Sequence, residues 1–121
     1  MNQQKNVITL GNDTSLDQSS HRSRAVSFAE TGQWEDALAQ CRSAIEQNQA
    51  DWDMHILRGD LLLRLHRWEQ AANSYQKALS ARPDMLVLNH KIAIALAQLG
   101  KISEADDRYA QFLSLASDLE Q

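Results

Sequence analysis

Three fourteen-residue stretches of this chain share one order of apolar and polar positions. GQWEDALAQCRSAI (32–45), HRWEQAANSYQKAL (66–79) and GKISEADDRYAQFL (100–113) follow one another at a constant offset of 34 residues. Their matched columns are Trp34/Trp68/Ile102, Ala37/Ala71/Ala105, Cys41/Tyr75/Tyr109 and Ala44/Ala78/Phe112. In the second copy Trp68, Ala71, Ala72, Tyr75, Ala78 and Leu79 fall at i, i+3, i+4, i+7, i+10 and i+11, which predicts one stripe of an amphipathic helix. A second helix is predicted before it. In DWDMHILRGDLLLRL, Met54, Leu57, Leu61 and Leu65 keep helical spacing, and Asp51 or Asp53 is placed to cap the start. The break between the two falls near His66. Gly32 and Gly100 stand at the same break in the other copies, where a left-handed residue ends one helix and lets the chain reverse. In the middle copy a histidine must take that conformation, under strain.

The period predicts three helix-turn-helix units, 18–51, 52–85 and 86–119, followed by residues 120–121. The segment before them, 1–17, holds few large apolar residues and much Asn, Gln and Ser, and is expected to be a flexible tail.

These features resemble the tetratricopeptide repeat, whose 34-residue unit carries W-x2-L-G-x2-Y, then A-x3-F, then P. The middle copy matches most clearly. Gly59, Leu62, Ala71, Tyr75, Ala78 and Pro83 sit where the pattern wants a small residue, a large apolar one, Ala, an aromatic, a small residue and Pro. The flanking copies offer Ala25 and Ala93 for the small residue, and Phe28 and Leu96 for the large one. There are departures. His21, His55 and Asn89 stand where the family prefers Trp, Arg24 and Arg58 where it prefers Leu, and only the middle copy has the proline. The resemblance implies an all-α fold, an α-solenoid of three helix-turn-helix repeats forming a short right-handed superhelix. Small side chains at 25, 59, 93, 37, 71 and 105 would let paired helices approach closely while larger residues fill the spaces between units.

Such a stack has a concave surface lined mainly by the first helix of each unit. Leu61, Leu62 and Leu63 span about 200° of helix, so one of the three must leave the core stripe. By resemblance to the family's groove positions, the lining comprises Arg22, Val26 and Ala29 in the first unit. In the second it comprises Ile56, Leu57, Asp60 and Leu63, and in the third His90, Lys91, Ile94 and Ala97. Two readings stay open: a groove for an apolar peptide or amphipathic helix, or a surface absorbed into the core or covered by the N-terminal segment. Some family members use a carboxylate clamp to hold acidic C-terminal peptides. Arg22 and Lys91 match two of its basic positions, but Val26 and Leu57 replace its two amides and Val87 its third basic residue. Clamp function is therefore not expected, because the grip needs several charge-assisted bonds together.

The remaining chemistry narrows the field. A chain of 121 residues with 43% apolar and 23% charged residues reads as one soluble globular domain, and its net charge of −4 argues against nucleic acid as a partner. The only early apolar run, Val7 to Leu10, is too short for a signal core or a membrane span, and the single Cys41 suits a reducing compartment; a cytoplasmic protein without membrane insertion is expected. No nucleotide-binding, zinc-protease or C-x-x-C motif is present, and the four histidines never recur at i+3 or i+4. No enzymatic activity, cofactor or metal is expected.

Two function classes follow. The first is a protein–protein interaction module, adaptor or chaperone-like, as in the specialised chaperones of bacterial secretion systems that compact three-repeat chains resemble. The second is a self-assembling structural protein, a homo-oligomer. For the second, Phe112, which takes the place of Ala44 and Ala78, joins Leu113, Ala116 and Leu119 as a candidate edge. Phe112 either plugs its own unit or contributes to a docking patch. Trp52, outside the family's aromatic columns, is either a hydrophobic staple or an exposed anchor.

Overall fold

A computed structural model describes the backbone of residues 14–119 and the side chains of residues 21–119. Six α-helices follow in order: α1 (Thr14–Glu30), α2 (Trp34–Gln47), α3 (Trp52–Arg64), α4 (Trp68–Ala81), α5 (Val87–Gln98) and α6 (Ile102–Leu119). The described residues contain no strand. They fall into two compact units, one within Met1–Gln49 and one spanning Ala50–Gln121. The first pairs α1 with α2; the second pairs α3 with α4 and α5 with α6, and packs α4 on α5. The expected flexible tail lies outside the described residues up to residue 13, and from Thr14 the chain is already helical.

Each helix pair is joined by the same turn. The left-handed residues are Gly32 at φ 79°, His66 at φ 60° and Gly100 at φ 81°. One residue later an amide reaches five positions back across the helix end: Gln33 N donates to Phe28 O at 2.9 Å, Arg67 N to Leu62 O at 2.9 Å and Lys101 N to Leu96 O at 3.0 Å. This is the 6→1 bond that closes a helix terminus around a left-handed residue. The carbonyls of Gln33, Arg67 and Lys101 then accept from Ala37, Ala71 and Ala105, each at 3.0 Å, and so start the second helix. Glycine takes positive φ without a steric penalty, whereas His66 does so against one, and its ring stacks on Trp68 at 4.8 Å. At the start of α3, Asp51 is the capping residue, its Oδ1 accepting from Met54 N at 3.3 Å.

The small columns are buried as close packing requires. Ala25, Ala37, Ala44, Ala71 and Ala78 are fully covered, and Ala93 and Ala105 nearly so. Gly59 is the tightest: a Cβ there would stand 2.6 Å from Tyr75 Cε1, inside the ring's van der Waals envelope. Of the three consecutive leucines, Leu61 and Leu62 are buried and Leu63 is only half-buried.

The column where the family prefers Trp has a different use. His21 Nδ1 donates to Gln40 Oε1 at 2.8 Å in the first repeat, and Arg108 Nη1 donates to Asn89 Oδ1 at 3.0 Å in the third. Both pairs are 19 residues apart. The same two columns in the middle repeat hold His55 and Ser74, both buried. In the first and third repeats a polar link between the two helices thus stands where a large ring would otherwise fill space, whereas the Ser74 hydroxyl of the middle repeat makes no hydrogen bond to a described residue.

Candidate functional site

Asp60 on α3 and Lys91 on α5, both expected to line the groove, meet directly. Lys91 Nζ donates to Asp60 Oδ1 at 2.9 Å. Tyr75 on α4 completes the group from below. Its hydroxyl donates to the same carboxylate oxygen, and Lys91 Nζ lies 5.5 Å from the centre of its ring. The ring can occupy that position because Gly59 has no side chain to collide with it. Burial of the phenol, then its hydrogen bond to Asp60 and the nearby negative charge, push the Tyr75 ionisation far above the ordinary tyrosine range.

Around this pair the face is apolar. On α3, Ile56, Leu57 and Leu63 are half-buried. On α5, Ile94 is 42% exposed and Val87 43%. His90 is turned differently from Lys91: its ring packs against Tyr109 at 5.4 Å and Phe112 at 5.3 Å, in an aromatic cluster with α6. Phe112 is half-buried in that cluster, as is Ala116 on the same helix, while Leu113 is 48% and Leu119 78% exposed. In the first unit, α1 carries Arg22 and Ala29 half-buried and Val26 exposed.

Sequence reasoning did not reach the Tyr75–Asp60 hydrogen bond. Tyr75 was legible as a core aromatic, but nothing in the repeat pattern signals that its hydroxyl emerges beneath the groove face. Trp52 does not occupy the staple position. It is the first residue of α3, so the position before the cap, where a staple residue sits, is Ala50. The Arg82 guanidinium covers its ring at 4.7 Å and is itself held by Asp84 through two bonds of 3.0 and 2.9 Å. Among the described residues no group of three His, Cys, Asp or Glu side chains is arranged to hold a metal, and no helix is long and apolar enough to cross a membrane.

The tetratricopeptide repeat profile matches residues 22–85, a little over half of the chain. The chain belongs to the tetratricopeptide repeat family. No curated protein matches it by sequence. Solved tetratricopeptide structures share its fold. A MamA structure labelled AMB-1 superposes with a TM-score of 0.78 at 20% identity, over 83% of this chain and 55% of that one. The second tetratricopeptide domain of Spaghetti (RPAP3), bound to the HSP90 peptide SRMEEVD, gives 0.74 at 21% identity over 81% and 91%. The Arabidopsis OM64 domain gives 0.75 at 20% identity over 82% of each. This chain thus spans a little over half the length of that MamA chain. At these identities the likeness is one of fold.

Proposed function

We propose that this tetratricopeptide repeat protein is an interaction module whose α3–α5 face receives an apolar segment or amphipathic helix of a partner protein. The observation that carries the proposal is the Asp60–Lys91 pair. Its two charges answer each other, so the centre of the face offers no uncompensated charge, while Ile94 and Val87 stand exposed beside it. An apolar occupant can cover a neutralised pair at smaller desolvation cost than two separate ions. The same pair argues against an acidic peptide such as the SRMEEVD held by the RPAP3 domain. Lys91 already has a carboxylate, and Val26, Leu57 and Val87 replace three of the other four clamp residues, leaving Arg22 as the one further match. Within the first unit, Arg22 and Val26 are proposed by themselves as candidate contacts. The role is adaptor-like or chaperone-like, without catalysis or cofactor. A reducing, cytoplasmic setting is part of the proposal, since the single Cys41 is buried and forms no disulfide.

A second reading, self-assembly through Phe112, Leu113, Ala116 and Leu119, is favoured by the exposure of Leu113 and Leu119. One set of variants separates the two. Ile94→Asp is expected to abolish partner capture in a pull-down while leaving helical circular dichroism and the light-scattering mass unchanged. Oligomers that form with concentration and are lost in Leu113→Asp, with no partner dependent on Ile94, would support assembly instead.

A further inference from the structure

The second unit contains a cavity of about 340 Å³ lined by Arg58, Gln70, Asn73, Ser74, Gln76 and Lys77. Two of these six are cations and none is a carboxylate, in a chain whose net charge is −4. Neither Arg58 nor Lys77 makes a hydrogen bond or ion pair with any described residue. Ser74 is 1% exposed, and its Oγ, buried and without a hydrogen-bond partner among the described residues, belongs to the column that pairs with His55. The amide of Gln76 is already oriented, because its Oε1 accepts from Arg108 Nη2 at 2.6 Å, which leaves its Nε2 free to donate.

The repeat provides an internal control. The position of Arg58 is Arg24 in the first repeat and Ile92 in the third, that of Gln70 is Asp36 in the first and Glu104 in the third, and that of Asn73 is Asp107 in the third. The position of Lys77 is Ser43 and Gln111. The fold therefore requires neither cation, and each flanking repeat places a carboxylate where the middle repeat has none. Arg58, like Arg24 in the first repeat, stands where the family prefers leucine.

We propose that this cavity is a binding site for a dianionic phosphate monoester. Arg58 and Lys77 match its two charges, and the Asn73 and Gln76 amides supply neutral donors to the remaining oxygens. A carboxylate, with one charge and two oxygens, would leave part of this donor set unanswered. The volume is well above that of a single phosphate group, so the ester carrier has room to enter. The site shares no residue with the α3–α5 face and does not depend on the function proposed for it.

The test is a titration of the isotopically labelled full chain, followed amide by amide, with three probes at one ionic strength held by chloride. The probes are inorganic phosphate, a blocked Gly-phosphoserine-Gly peptide and its unphosphorylated form. Saturable shifts centred on Arg58, Asn73, Ser74 and Lys77 are expected with the first two probes and not with the third. The double substitution Arg58→Gln, Lys77→Gln is expected to weaken binding by about tenfold or more, as loss of charge-assisted bonds implies. Because Lys77 is exposed, Lys77→Gln alone serves should the double variant lose helicity. Tighter binding of the phosphopeptide would identify a phosphorylated side chain as the source, and equal or tighter binding of inorganic phosphate a small free anion. Absence of saturable shifts, shifts spread over the other basic residues, or affinity indifferent to Lys77→Gln would overturn the proposal.

Discussion

At Tyr75 one side chain serves both packing and the candidate site. Its column was legible from the repeat, and so was the small residue at 59 opposite it, because close helix approach requires both. Its hydroxyl bond to Asp60 was not legible, since that depends on the ring's reach across an interface and not on periodicity. The bond has a measurable consequence. The folded protein keeps the phenol proton well above pH 10.0, the ordinary tyrosine value, while the unfolded chain releases it there. Unfolding then releases a proton, so the contribution is fully present below pH 10 and is lost as pH rises, by about 1.4 kcal/mol per pH unit. Tyr75→Phe is expected to cost about 1 kcal/mol at pH 7 through the lost hydrogen bond, and to flatten the alkaline decline relative to wild type. Urea unfolding at pH 7, 10 and 11 measures both. Parallel pH profiles for the two proteins would show that the Tyr75 proton is not held by the fold.

At the scale of the helical elements, boundaries were the most legible part. The turn residues Gly32, His66 and Gly100 recur every 34 positions, and each closes its helix with the same five-residue hydrogen bond. Local pattern also narrowed the cap to Asp51 or Asp53 and required one of Leu61, Leu62 and Leu63 to leave the core stripe; the packed helices select Asp51 and Leu63. The partners of His21 and Asn89 did not. Those residues departed from the family pattern, and only the packed helix pairs reveal that each meets a polar side chain 19 positions on. Among the described residues only His66, in the middle turn, is left-handed and carries a side chain, and β-branching there would crowd the backbone further. His66→Val should therefore lower stability by about 1–3 kcal/mol. His66→Gly should stay within about 1 kcal/mol of wild type, relief of strain offsetting the lost stack on Trp68. Thermal unfolding of the two variants checks this order; equal losses would mean that the ring stack, and not the backbone, governs the turn.

At the scale of the whole molecule, a threefold repeat with a fixed period specifies a scaffold, and scaffold residues are what such a pattern reports best. Residues facing a partner are less legible, because their identity answers to something outside the chain. Asp60 and Lys91 were named as lining residues from family positions, but their mutual neutralisation depends on the three-dimensional approach of α3 and α5. That neutralisation makes the face suitable for an apolar occupant. The most direct measurement is site-specific photo-crosslinking in living cells, with a benzophenone side chain replacing Ile94 and, as a control, Ser80, an exposed residue of α4. The account predicts a discrete crosslinked partner from position 94, joined through an apolar or amphipathic segment, and none of it from position 80. Crosslinks from position 94 only to other copies of this chain, or the same products from both positions, would contradict it.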